Sequence, residues 1–138
     1  MLPSTPLHEL LLREDPGVLV MTSGNLTDEP MAVGNGEALQ RLAAIADAFL
    51  LHNREIRQRC DDSIARVAGG MTRIIRRARG LTPMPVSLGR PLQHPWLAVG
   101  AELKNAIALA RDKEVYFSQH IGDLENVTSL AFFEETIK

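Results

Sequence analysis

The chain has 138 residues, 45% of them hydrophobic and 23% charged, with a formal net charge of −2. That is enough chain for one compact domain with a core and too little for two ordinary ones, and no apolar run approaches the roughly 20 residues of a membrane-spanning helix. Cys60 is the only cysteine, which excludes an internal disulfide and an all-cysteine metal site, and His8, His52, His94 and His120 are scattered without ligand spacing.

The opening Met1-Leu-Pro-Ser-Thr-Pro6 lacks the basic and apolar regions of a secretory signal, so a cytoplasmic protein with no membrane partner is expected. Thr5-Pro6 ahead of Leu7, Leu10, Leu11 and Leu12 predicts an N-cap, a proline in the first turn and a short helix that stops at Asp15-Pro16. Pro16-Gly17 then introduces Val18-Leu-Val-Met21, an apolar run that reads as a strand buried on both faces. At its carboxyl end Thr22, Ser23, Asn25 and Thr27 supply hydroxyls and an amide around Gly24, which would allow a positive φ or the close approach of a ligand. Ligands collect at that edge of α/β sheets, although the same residue types also make ordinary polar turns. Asn35-Gly36 opens a helix running to Ala46, with Leu39, Leu42, Ala43 and Ala46 on one face. Asp47 to Leu51 predicts a second buried strand, and strand, helix, strand in that order suits a parallel or mixed α/β sheet.

Charge is unevenly spread. From Arg54 to Arg79 the chain carries Arg54, Arg57, Arg59, Arg66, Arg73, Arg76, Arg77 and Arg79 against only Glu55, Asp61 and Asp62, while acids outnumber bases on both sides. Guanidinium forks match phosphate oxygens, so the cluster points either to a phosphate-bearing partner or to a solvated strand pair rich in arginine. Ser63 to Val67 and Thr72 to Arg76 alternate around Gly69-Gly70, which predicts a hairpin with its arginines on one face. Pro83, Pro85, Gly89, Pro91 and Pro95 then mark residues 81–95 as an extended linker. Beyond it, Trp96–Val99, Ala106–Ala110 and Val115–Phe117 predict a three-stranded antiparallel meander, and Asn126 to Lys138 a helix beginning near Asn126 or Thr128. Three strands and one helix bury little, so this second piece reads as the opening of a domain.

Several stretches, taken together and in order, carry a specific resemblance: Met21-Thr-Ser-Gly-Asn-Leu-Thr-Asp-Glu-Pro30, Ala46 to Ile56, Arg59-Cys-Asp-Asp-Ser63, Ile75-Arg-Arg-Ala-Arg-Gly80, Ala98-Val-Gly-Ala-Glu-Leu-Lys-Asn105 and Ser118-Gln-His-Ile-Gly-Asp-Leu-Glu-Asn126. With Met1 to His8 they make the chain resemble a central segment of the HypF carbamoyltransferase family of [NiFe]-hydrogenase maturation. The resemblance implies an α/β fold: residues 1–80 as the C-terminal half of a YrdC-like domain with a twisted mixed sheet, 81–95 as a Pro-rich linker, and 96–138 as the start of an ASKHA-type domain, a β-meander plus helix.

The family joins carbamate, drawn from carbamoyl phosphate, to ATP as carbamoyl-adenylate and carbamoylates the C-terminal cysteine of HypE. By this resemblance Thr22, Ser23, Asn25, Ser63, Arg76, Arg77 and Arg79 are the expected adenylate contacts, with spacing unable to choose among the arginines. Ser23-Gly24-Asn25 fits the Ser-x-Asn part of the YrdC signature, and its upstream Lys/Arg element is absent from this sequence. Gly100 and Lys104 fall where related ASKHA proteins approach nucleotide phosphate, and an exposed turn fits them equally. Mg²⁺ is expected to bridge the phosphates; Asp61 and Asp62 either hold it through water or simply pair with the neighbouring arginines. Zinc or another metal would belong to parts of the family outside this chain. His120 and Asp123 read as structural, and Cys60 as structural or ligand-adjacent, because no base is placed beside it. No residue is assigned a covalent catalytic role, since adenylation needs positioning and electrostatics rather than a protein nucleophile. Alone, the chain is expected to be inactive. Two other readings share its features: a YrdC-type module binding double-stranded RNA through residues 54–80, and a threonylcarbamoyl-adenylate synthase of tRNA modification, against which the second piece argues.

Overall fold

Thr5 caps the first helix as its sequence requires. Its Oγ1 accepts the His8 N–H at 3.2 Å, and Pro6 takes the first position of α1 (Pro6–Arg13), where a missing N–H costs nothing. The predicted stop at Asp15-Pro16 lies outside the residues that this computed structural model describes, which are 3, 5–14 and 17–138. The second helix, α2 (Asn35–Leu42), starts where Glu37 reaches back to accept the N–H groups of Val33 at 3.0 Å and Gly34 at 3.4 Å. It ends short of Ala46 because the Leu42 carbonyl takes the N–H groups of both Ile45 and Ala46, closing the last turn.

The two strands expected to flank α2 are not formed. Residues 18–21 and 47–51 have no ladder partner among the described residues, and Val18 and Val20 are 99% and 97% exposed. A strand exists only through the neighbour that takes its N–H and C=O groups, so an apolar β-branched run without one remains irregular. The hairpin is formed as expected: β1 (Ile64–Ala68) and β2 (Met71–Arg76) turn at Gly69 and Gly70, with φ of +61° and +72°. Arg66 and Arg73 sit directly opposite each other in its register, hence on one face.

A second, four-stranded antiparallel sheet has the order β3-β6-β5-β4, built from β3 (Val86–Ser87), β4 (Trp96–Ala98), β5 (Ala108–Arg111) and β6 (Glu114–Phe117). The predicted meander is its β4-β5-β6 part. The expected linker 81–95 is not merely a spacer, because Val86 and Ser87 pair with Val115 and Glu114, and the Leu88 and Leu92 N–H groups reach the Lys113 and Asp112 carbonyls. Prolines are tolerated there because the segment is an edge that needs few ladder bonds. Asn126 caps α3 (Val127–Ile137) through its Oδ1, which accepts the Ser129 N–H at 2.8 Å.

The core is small and sits under this second sheet: Ile107, Ile121 and Phe132 are buried together, with Leu124 and Phe133 against them. A compact monomer of this mass exposes about 7,100 Å² by size scaling. This chain exposes 10634 Å². Exposed apolar side chains account for it along the whole chain, from Val18, Val20, Ile45, Leu50, Val67 and Ile75 in the first piece to Trp96, Leu103 and Val127 in the second.

Candidate functional site

The polar segment after Met21 folds into a compact loop. Ala32 N–H closes it on the Gly24 carbonyl at 2.9 Å, Glu29 N–H bonds to Leu26 at 3.1 Å, and the Asn25 amide donates to the Leu26 carbonyl at 2.8 Å. The positive-φ position is Asp28, at +60°, and not Gly24, whose Cβ would make only an ordinary 3.6 Å contact with Leu42. The conformational freedom expected at Gly24 is therefore used four residues later, by a residue type that tolerates the left-handed region.

Two arginines hold this loop from behind. Arg41 of α2 bonds to Glu29, Glu37 and the Pro30 carbonyl. Arg59 donates from Nε to the Met31 carbonyl at 2.9 Å, pairs with Glu37 at 3.4 Å and Glu135 at 3.3 Å, and lies 5.7 Å from the Phe132 ring centroid. Desolvation pushes the Glu37 carboxyl up, but its two backbone hydrogen bonds and the two guanidinium groups outweigh that and hold it below its ordinary value. Because Phe132 and Glu135 belong to α3, Arg59 ties the first piece of the chain to the second. Asn126 adds a further tie, its amide donating to the Asp28 carbonyl at 2.6 Å.

On the second piece, residues 99–105 form a tight loop around Asn105. Its Nδ2 donates to the Val99 carbonyl at 2.9 Å and the Ala101 carbonyl at 2.6 Å, and its backbone is locked to Gly122 and Ile121. Gly100, at φ +73°, has room for nothing more: a Cβ there would lie 2.7 Å from the Ala106 carbonyl oxygen and 2.9 Å from Asn105 Nδ2. The loop delivers Lys104 at φ +53°, where Asp123 accepts both its backbone N–H and its Nζ, each at 2.6 Å. The lysine hydrogen bonds hold the Asp123 carboxyl below the usual carboxylate range.

These two loops face each other across a cavity of about 210 Å³. Ser23, Asn25, Asp28, Cys60, Asp61 and Arg76 line it from the first piece; Lys104, His120, Asp123, Ser129 and Phe132 line it from the second. Asp61 pairs with Arg76, as Asp123 does with Lys104. Burial holds the His120 imidazole below its ordinary pKa, and Arg76 and Lys104 add to this against the opposing pull of Asp61 and Asp123, which favours the neutral ring. Burial raises the Cys60 thiol above its ordinary value against the opposing pull of Arg79, which disfavours the reactive thiolate.

Of the residues singled out in the sequence, Ser23, Asn25, Arg76 and Lys104 come together on this cavity; Thr22, Ser63, Arg77, Arg79 and Gly100 do not line it. Ser63 braces the hairpin base, accepting the Ala78 N–H and donating to the Arg79 carbonyl, both at 2.9 Å. Arg77 donates to the Met84 carbonyl at 2.9 Å and lies 5.8 Å from the Phe117 ring centroid. Arg79 donates to the Cys60 carbonyl at 2.9 Å and pairs with Asp62 at 3.4 Å. Gly100 stands behind Lys104. Arg59, His120 and Asp123 join the site through contacts between distant parts of the chain, and the only local signals for them are the Arg59-Cys-Asp-Asp and Gln-His-Ile-Gly-Asp runs. Among the described residues no helix is long and apolar enough to cross a membrane, and no group of three His, Cys, Asp or Glu could hold a metal ion.

Residues 1–78 match the Sua5/YciO/YrdC family model, described as telomere recombination, and residues 91–138 match the model of the HypF Kae1-like domain. The chain belongs to the Sua5/YciO/YrdC family, with a HypF Kae1-like segment following in the same polypeptide. More particularly, over 99% of its length it is 44% identical to carbamoyltransferase HypF of Synechocystis sp. and 46% identical to carbamoyltransferase HypF2 of Cupriavidus necator, covering 18% and 19% of those proteins. Among solved structures it is similar to full-length HypF in the phosphate- and nucleotide-bound form, with a TM-score of 0.93 and 44% identity over 99% of this chain and 22% of that one. It is also similar to T. kodakarensis HypF, with a TM-score of 0.78 and 44% identity over 85% of this chain and 15% of that one. The chain thus spans about a fifth of the length of the curated relatives it matches.

Proposed function

We propose that this chain is a segment of a carbamoyltransferase that forms carbamoyl-adenylate from ATP and carbamate drawn from carbamoyl phosphate. The enzyme then passes the carbamoyl group to the C-terminal cysteine of HypE in [NiFe]-hydrogenase maturation. The observation that carries the reading is the cavity shared by Ser23 and Asn25, Arg76 and Lys104. Small-molecule sites span about 300–1,000 Å³, so a cavity of about 210 Å³ suits the phosphoryl and carbamoyl end of an adenylate rather than the whole nucleotide.

In this reading a carbamate oxygen attacks the α-phosphorus and the bond to pyrophosphate breaks. Ser23 and Asn25 orient the phosphoryl oxygens, and Arg76 and Lys104 meet the negative charge that develops on the leaving group. Mg²⁺ would arrive on the nucleotide's phosphates and lend them its charge; Asp61 and Asp123, each bonded to a cation, are not arranged as a protein metal site. In the same reading the chain divides into residues 1–80 of a YrdC-like domain, a connecting segment 81–95 and residues 96–138 of an ASKHA-type domain. Residues 18–21 and 47–51 become strands once the remainder of the longer protein supplies neighbours, which accounts for their exposure; alone, the segment is inactive.

Carbamate-dependent ATP–pyrophosphate exchange by the full-length enzyme tests this. Ser23→Ala and Asn25→Ala are each expected to lower exchange by up to about 100-fold, the low end of the effect of removing a preorganised hydrogen-bond donor from a reacting group. Exchange unchanged in both variants would overturn the reading.

A further inference from the structure

The two cations on the cavity come from different pieces of the chain, and each is already occupied by a carboxylate of its own piece: Arg76 by Asp61, Lys104 by Asp123. The carboxylates are the fixed members. Asp123 Oδ1 accepts the Lys104 backbone N–H, and Asp61 is held by its own backbone, its carbonyl taking the Arg79 N–H at 3.1 Å and its Oδ1 the Asp62 N–H at 2.8 Å. The cations have the longer side chains; Lys104 is 73% exposed against 27% for Asp123, while Arg76 and Asp61 are similarly covered, at 29% and 36%. Both pairs line the one cavity together with His120, so they belong to a single site rather than two separate ones.

We propose that Asp61 and Asp123 are positioning residues that stand in for a ligand's anionic oxygens on Arg76 and Lys104, and that a phosphoryl group binds by displacing them. The inference rests on the reading of the cavity as a phosphoryl site. Its chemistry is charge exchange. A polyanion such as pyrophosphate satisfies both cations and outcompetes two singly charged carboxylates, whereas a monoanion displaces one at most and leaves the other pair closed. The displaced carboxylates stay beside the ligand and repel it, so they weaken binding, favour release of the leaving group and select for multiply charged ligands.

Calorimetric titration of the full-length enzyme with inorganic pyrophosphate tests this, with and without Mg²⁺, for the wild type, Asp61→Asn, Asp123→Asn and Arg76→Ala. Asparagine keeps the backbone acceptor and removes the charge. Each carboxylate variant is expected to bind metal-free pyrophosphate about three- to tenfold more tightly, with the gain shrinking as salt rises, while Arg76→Ala binds more weakly. Should Asp123→Asn fail to fold, Asp123→Ser retains an acceptor and carries the same expectation. Wild-type binding with unchanged or weaker affinity in both carboxylate variants would overturn the proposal and leave the phosphoryl site standing. Weakening confined to the Mg²⁺ titration would also overturn it, by making the carboxylates metal ligands. No binding by the wild type would overturn the phosphoryl reading and this inference with it.

Discussion

Asn105→Leu is expected to cost residues 96–138 about 3–5 kcal/mol, lowering the midpoint of thermal unfolding by roughly 10–20 °C as followed by the fluorescence of Trp96, the one tryptophan. Asn105 is 2% exposed, and its amide is the hydrogen-bond donor to both the Val99 and Ala101 carbonyls. Leucine is of similar volume but leaves both acceptors without a partner, at about 1–3 kcal/mol each. The surrounding core, Ile107, Ile121 and Phe132, is too small to absorb such a loss. Asn105→Asp should be no better, because it sets acceptor against acceptor and buries a charge. A midpoint within 3 °C of wild type in Asn105→Leu would show that the loop does not depend on this amide.

The second large effect is expected at Arg59. Its guanidinium holds Met31, Glu37 and Glu135 and packs over Phe132, so Arg59→Ala removes at one position the ties between the loop of residues 22–33, α2 and α3. The side chain is only about a fifth exposed, and an expected cost of about 2–3 kcal/mol sits below that of a fully buried pair. Glu37 keeps Arg41, but Glu135 loses its partner among the described side chains and α3 loses its hold on the first piece. Amide exchange along α3 should accelerate, while exchange in β5 and β6 changes little. Arg59→Lys should not rescue it, since one ammonium cannot serve a carbonyl and two carboxylates in separate directions. Full protection of α3 in Arg59→Ala would refute the tie.

What could be read in the sequence was local. Thr5 and Asn126 cap helices through bonds to residues three positions away, Gly69-Gly70 fixes a turn by backbone freedom alone, and the meander follows from short runs separated by turns. Residues 18–21 and 47–51 misled because a strand is a property of a pair, and their composition says nothing of whether a neighbour is present. The edge strand at Val86 was hidden for the opposite reason: its prolines argue against a central strand, yet an edge needs only a few bonds. On the cavity, Ser23, Asn25 and Lys104 lie in stretches singled out in the sequence, and Arg76 is one of three arginines among which spacing could not choose. Their convergence on one cavity, and the addition of Arg59, His120 and Asp123, depends on contacts spanning up to 98 positions, which no local pattern encodes.

The central claim is that Ser23, Asn25, Arg76 and Lys104 form one phosphoryl site from two pieces of chain. Nuclear magnetic resonance of the full-length enzyme, isotope-labelled at these residues, during titration with ATP reads it most directly. The account predicts that the backbone signals of Ser23 and Asn25, the Arg76 guanidinium and the Lys104 and Gly122 amides shift together along one binding curve. Shifts confined to one wall of the cavity, or to the Arg66 and Arg73 face of the hairpin, would contradict it.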